Sequence, residues 1–391
     1  MFRFESTPPL ALYVHVPWCV RKCPYCDFNS HAVAEELPER AYVDALLRDL
    51  EHDLPDVWGR TVETVFFGGG TPSLFSAEGI DRVLAGIRAR VPLKPGAEIT
   101  LEANPGTFEQ EKFAQYRSAG VNRLSIGVQS FDPEKLASLG RIHSADEAVA
   151  AYHTARAAGF DNINLDLMFG LPEQTLDQAL SDLVQATHLR PDHISWYQLT
   201  LEPNTAFHHS PPSLPDDELV WSIWSTGRAR LGAAGYQQYE VSAYAQPGRQ
   251  CRHNLNYWRF GDYLGIGAGA HAKVTLPASQ AIRRTHKKRH PTAYLQSAGS
   301  ARCLAGERFL APADAAFDYM LNRLRLCEGL TRSDFEQASG LPFAAVERTL
   351  NRAVDDGLLV EREGTFRHTE RGWLFVDSIV SRFLPDGETH A

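Results

Sequence analysis

Three cysteines at Cys-x3-Cys-x2-Cys spacing, Cys19, Cys23 and Cys26, define the chemistry open to this chain. A loop this short wraps three thiolates around one metal ion or one iron–sulfur cluster. Structural zinc closes its shell with four ligands, whereas a site with three protein ligands keeps one position for a small molecule. On a four-iron, four-sulfur cluster the three thiolates take three irons, and the fourth iron is free to chelate. Two other readings stay open on local sequence: a zinc loop completed by His15 or His31, and three buried thiols.

Further polar groups cluster at a few points. Gly68-Gly69-Gly70-Thr71-Pro72 follows an apolar run, and consecutive glycines after a strand let a ligand approach the backbone. Glu102, in Glu-Ala-Asn-Pro, and Gln129, in Gln-Ser-Phe-Asp, each end another such run. Ordinary loop residues would look the same. A buried Arg141 requires a carboxylate partner, which a bound amino acid provides. Asp166 reads either as a site carboxylate or as a strand-end cap. Farther on, His253-Asn254-Leu255-Asn256-Tyr257-Trp258 sets a histidine among aromatics, which suits an axial ligand beside a flat porphyrin. The glycines from 265 to 269 lack a clear following helix and read as a backbone turn.

These groups need a scaffold, and the first 200 residues supply the pattern of one. Short β-branched runs alternate with helical periodicity, the mark of successive βα units. Strands are predicted at 12–16, 62–67, 98–102, 123–128, 162–168 and 193–199. Helices are predicted at 39–50, at 76–90 with Ser76 as N-cap, and at 145–158 with Gly159 as the stop. Six units without a Rossmann fingerprint after the first strand predict an α/β fold built on a partial barrel. Its functional groups would lie at the C-terminal ends of the strands, where the first strand delivers the cysteine loop.

The division expected is 1–210 for the barrel, 211–310 for an extension and 311–391 for a C-terminal module. The extension opens with a linker at 211–215 and a helix at 216–231. It carries a basic run, Arg283 to His290, that reads as a solvated loop or as a landing patch for carboxylates, phosphates or an anionic membrane surface. The last module orders its elements like a winged helix. Its candidate recognition helix carries Glu347, Asp355 and Asp356 against Arg348 and Arg352, and the whole chain has a net charge of −9, which argues against nucleic-acid binding. With no run of eighteen apolar residues, no leader and scattered remaining cysteines, the expected location is the cytoplasm, with the basic run as the point of any membrane association.

The motifs together identify the chain as a member of the radical SAM superfamily. Tyr25 beside Cys26, the Gly-Gly-Gly-Thr-Pro segment, Glu-x-Asn-Pro at 102–105 and Gly-x-Gln-Ser-Phe at 127–131 resemble the oxygen-independent coproporphyrinogen III oxidase (HemN-like) family. The resemblance runs from Tyr13 through the C-terminal module. It implies a partial (β/α)6 barrel, a [4Fe-4S] cluster on Cys19, Cys23 and Cys26, and S-adenosylmethionine on the open iron. In that superfamily the reduced cluster cleaves the sulfonium to methionine and a 5′-deoxyadenosyl radical. By the same match Tyr25 lies against adenine, while Gly69, Gly70 and Thr71 grip the methionine amino end. Glu102, Gln129, Arg141 and Asp166 contact the carboxylate, ribose or adenine, and Tyr13 matches a binding position.

Three features resemble the HemW-like haem chaperone branch and depart from the decarboxylating oxidases. His-Asn-x-x-Tyr-Trp occupies 253–258, Phe28 stands where the oxidases carry another cysteine, and the stretch before Tyr13 is shorter than theirs. The branch implies haem as a bound partner, with His253 at the haem, client haemoproteins as recipients, and no assigned catalytic residue. Oxidative decarboxylation of coproporphyrinogen propionates to vinyl groups stays open as the alternative. A nucleic-acid-binding regulator using the last module is the more distant one.

Overall fold

The structure is a computed structural model that describes residues 1–33, 36–106 and 110–385. One twelve-stranded sheet organises the first 309 residues. Its centre is six parallel strands in chain order: β1 (Leu10–Val16), β2 (Val62–Gly69), β3 (Leu93–Ala103), β4 (Arg123–Gln129), β5 (Ile163–Phe169) and β6 (His193–Gln198). All six predicted strands are present. Leu12, Val14, Val65, Leu101, Leu124 and Leu165 lie in one buried cluster that the helices cover from outside. The alternate residues, such as Tyr13 and His15, face the concave side.

The helices between strands begin and end as their sequences require. Helix α1 (Glu39–Asp53) packs on α2 (Ala77–Arg88), whose N-cap Ser76 accepts from the Gly79 N–H at 2.9 Å. Farther along come α3 (Phe113–Ala119), α4 (Pro133–Ser138), α5 (Ala145–Ala157), α6 (Leu176–Leu189) and the short α7 (Ala206–His209). Gly159 follows α5 at φ 87°. Helix α8 (Asp217–Ala233) buries Ile223 against the same core, as its periodicity predicts.

The sheet grows beyond the six at both sides. Strands β7 (Gln237–Glu240) and β8 (Ala243–Ala245) add antiparallel to β6. After α9 (Arg252–Trp258), β9 (Asp262–Ile266) joins β1 in parallel, and β10 (His271–Leu276), β11 (Ala281–Lys287) and β12 (Leu304–Phe309) continue antiparallel. The glycine-rich turn after β9 packs against the first strand, with a side chain at Gly267 (φ 112°) excluded by the His15 backbone.

The basic run departs from its expected form. Residues 283–287 lie in β11, so the run is for the most part strand and not loop. Arg283 is bound to Asp56, and Arg284 pairs with Asp318 at 2.9 Å. Lys287 is buried, with Nζ 2.6 Å from Asp49 and 2.8 Å from Asp53 on α1. Arg283 and Lys287 are therefore committed inside the molecule, while Arg284 is paired through one nitrogen only. Lys288, Arg289 and His290 remain toward the surface.

Most of the rest forms a second core. Helix α10 (Pro291–Ser297) still belongs to the first core, where Tyr294 packs near α1, and in the second core α11 (Pro312–Arg323) leads to β13 (Leu330–Thr331), α12 (Arg332–Ser339), α13 (Ala344–Asp355) and a β14 (Leu359–Arg362)–β15 (Thr365–His368) hairpin turning at Glu363-Gly364. That winged-helix order packs around Tyr319, Phe335 and Leu350, and Phe2 and Phe4 from the chain start complete the cluster. No helix among the described residues is long and apolar enough to cross a membrane.

Candidate functional site

The cysteine loop leaves β1 and is anchored by backbone hydrogen bonds. The Gly70 N–H donates to Val16 O and the Thr71 N–H to Trp18 O, both at 2.7 Å, while the His31 N–H donates to Pro17 O at 2.7 Å and Val33 N–H to Cys19 O at 3.0 Å. On the far side Phe207 N–H reaches Pro24 O at 3.0 Å, and the Asn29 amide donates to Ala268 O and Arg289 O at 2.9 Å each. The glycines after β2 serve this clamp. A Cβ on Gly70 would meet the Trp18 carbonyl and one on Gly69 (φ 113°) the His15 ring, so both positions exclude side chains.

All three thiols open onto one cavity of about 520 Å³ at the C-terminal mouth of the barrel. Tyr25, Gly69, Gly70 and Thr71 line it on the loop side. Glu102, Gln129, Arg141 and Asp166 line it from the other strand ends. Eleven of the thirteen residues singled out in the sequence thus meet in one chamber, leaving Tyr13 and His253 outside it. Tyr13 is on the inner face of β1, its hydroxyl 3.0 Å from His15 Nδ1, and it borders a neighbouring chamber. His15 also meets Asn29 O through Nε2 at 2.8 Å, so its ring is committed internally and does not complete a zinc shell.

His253 lies on α9, away from the thiols. It is buried, with Nδ1 2.8 Å from the Thr64 hydroxyl and Nε2 3.0 Å from the Tyr257 hydroxyl. Both ring nitrogens thus have hydroxyl partners within the fold. In the structure His253 ties α9 to β2 and sits apart from the thiol chamber.

The electrostatics of the mouth are unusual. Arg141 donates to Asn104 Oδ1 at 2.9 Å and Gly127 O at 2.7 Å, and its Nη1 is 3.8 Å from Cys23 Sγ. Its Nε is buried without a partner, and no carboxylate pairs with it among the described residues. A buried guanidinium with unspent donors is a receptor for an anion. Burial pushes the Cys19 and Cys26 thiols up, so metal loading has to displace their protons.

Glu102 accepts from Gly69 N–H at 3.2 Å. Withdrawal from bulk water, with Asp166 nearby, pushes its pKa up to about 8. Asp166 is also raised by burial, against hydrogen bonds from Ser125 Oγ at 2.8 Å and Asn164 Nδ2 at 2.9 Å. The folded chain thus holds the Glu102 proton more tightly than the unfolded chain. The stability this contributes is complete below the ordinary glutamate pKa of about 4.5 and is lost as pH rises through about 8. Glu102→Gln is therefore expected to raise the thermal midpoint of the ligand-free protein at pH 8, with the gain shrinking toward pH 5. Equal midpoints for the two proteins across that range, followed by circular dichroism, would contradict the assignment.

Gln129 has φ 68°, and the register between β4 and β5 slips at this point. A non-glycine residue held left-handed at a strand end is backbone kept in a costly shape by its surroundings. Here the Tyr197 hydroxyl donates to Gln129 Oε1 at 2.9 Å and fixes the side chain at the mouth. Tyr197, Asn104, Ser125 and Asn164 were not singled out in the sequence. Asn104 sat in view inside Glu-Ala-Asn-Pro, while Ser125 and Asn164 were detectable only as polar residues at inward positions of otherwise apolar strands.

Residues 13–184 match the Radical SAM superfamily, and residues 310–375 match the HemN C-terminal domain. The chain is 53% identical over 379 residues to the heme chaperone HemW of Escherichia coli (strain K12), covering 97% of this chain and 99% of that one. It is 50% identical over 383 residues to the heme chaperone HemW of Haemophilus influenzae, again covering 97% and 99%. Among solved structures, coproporphyrinogen III oxidase (HemN) from Escherichia coli, a radical SAM enzyme, aligns with a TM-score of 0.81 at 26% identity, covering 96% of this chain and 90% of that one.

Proposed function

Since the chain belongs to the HemW family of radical SAM proteins, we propose that it is a haem chaperone that holds a [4Fe-4S] cluster, S-adenosylmethionine and haem, and passes haem to client haemoproteins. One observation carries the reading: 53% identity, nearly end to end, to a protein named a heme chaperone, against 26% to the structurally similar oxidase. The six free cysteines favour a reducing compartment, and the proposed location is the cytoplasm.

The residues fit these groups. Three thiols face one cavity, and the unspent Arg141 guanidinium supplies positive charge beside them. Cys19, Cys23 and Cys26 would hold the cluster. A cluster with one open iron supplies a chelation point and, when reduced, an electron for breaking a sulfonium bond. Glu102 would give up its proton to meet a ligand ammonium, and Arg141 would meet an anionic group. Tyr25 packs with Met168, Leu171 and Leu199 in an apolar slot suited to a flat base. Gln129, held by Tyr197, and Asp166, held by Ser125 and Asn164, would fix polar groups of the same ligand.

Anaerobic cluster reconstitution, followed by haem titration and a coproporphyrinogen III turnover assay, tests the function. Saturable haem binding with no vinyl product at enzymatic rates is the expected result. Vinyl products together with no saturable haem binding would establish the oxidase instead.

A further inference from the structure

Beside the thiol chamber the sheet builds a second one. The concave face that carries Tyr13 on β1 continues through Tyr263 on β9 and His271 on β10 to Arg284 and His286 on β11. Trp258 from α9 and Leu321 from α11 enclose it as a cavity of about 770 Å³. The two chambers share Phe28, Gly69 and Glu102 as a wall.

Its chemistry selects a ligand class. Register sets His271 opposite His286, and their rings stack with centroids 5.3 Å apart and planes at 21°. Unlike His253, neither ring is occupied by a hydrogen bond among the described residues. His286 has room because Gly306 across the sheet has no side chain, and a Cβ there would strike the imidazole. His271 is the more exposed of the two. Aromatic surface stands nearby, with the rings of Tyr257 and Tyr263 edge to face at 4.6 Å and the buried Trp258 indole N–H without a partner.

Cations complete the set. Arg284 keeps a buried Nε unpaired although its Nη2 meets Asp318, and the exposed Arg289 forms no ion pair among the described residues. An uncommitted imidazole, flat aromatic walls and spare guanidinium donors together suit a metalloporphyrin bearing carboxylates. The nitrogen takes iron, the rings cover the macrocycle and arginine receives carboxylate.

We propose that haem occupies this second chamber, with His271 as its axial ligand, His286 stacked against that imidazole, and Arg284 and Arg289 at the propionates. The inference rests on the chaperone reading and names its site. It separates the two cofactor functions physically, one chamber for the cluster and S-adenosylmethionine and the adjoining one for haem.

The reconstituted full chain, wild type and with His271→Ala, His271→Tyr or His253→Gln, would be titrated with haem. His271→Ala is expected to weaken haem binding at least tenfold and move the Soret band. His271→Tyr is expected to give the spectrum of phenolate-ligated iron, a change that loss of packing alone does not produce. Iron and sulfide content and S-adenosylmethionine affinity serve as controls and should match wild type for both. Wild-type affinity and an unchanged Soret band in both His271 variants, or loss confined to His253→Gln, would overturn the site while leaving the chaperone reading intact. No haem uptake by the wild type would overturn both.

Discussion

Cys23→Ala is expected to give a colourless chain that stays folded. Two thiolates cannot hold a cluster designed for three, so iron, sulfide and the brown absorbance should all be lost after anaerobic reconstitution. The fold should survive because the loop does not depend on metal for its shape. Pro17, Cys19 and Pro24 carbonyls, the Gly70 and Thr71 amides and the Asn29 side chain already pin it. That separates it from a zinc finger, where ligand loss unfolds the domain. Cys19→Ala and Cys26→Ala should behave alike. A variant that keeps full iron, or a wild type that loads zinc and stays colourless, would contradict the cluster assignment.

The second large effect concerns stability. Lys287→Met should destabilise the chain by about 3–5 kcal/mol, the usual cost of removing one partner of a buried ion pair. Asp49 and Asp53 would be left facing each other without their cation. Asp49 has further duties, accepting from the Tyr294 hydroxyl at 2.8 Å and the Gly267 N–H at 3.1 Å. The same triad ties α1 to β11 and to the turn behind His15, so its loss loosens the far end of the sheet. Adding Asp49→Asn should recover part of the loss, since a charge no longer lies buried without a partner. Urea unfolding of the single and double variants measures this. A single variant within about 0.5 kcal/mol of wild type would show that the triad contributes little, as surface substitutions do.

Much of this was readable from the chain. The six barrel strands showed because each is a β-branched apolar run bounded by turn residues, and their inward polar residues fell at the strand ends where a barrel gathers its chemistry. The basic run was misread because its partners are remote in sequence. Lys287 meets Asp49 across 238 positions, and nothing local marks a lysine as buried. The tie that His253 makes was hidden in the same way: its aromatic company was visible, but Thr64, 189 positions away, was not. The pairing of His271 with His286 is a matter of strand register, which only the folded sheet supplies.

The wall of Phe28, Gly69 and Glu102 has a thermodynamic consequence. Glu102 borders both chambers, so its proton is common property: a ligand that expels it from one side changes the field on the other. Reciprocity then binds the two occupants. Whatever factor a guest in the first chamber applies to affinity in the second is returned unchanged, and on the proposed occupancy the exchange of haem with a client would be subject to the load of its neighbour.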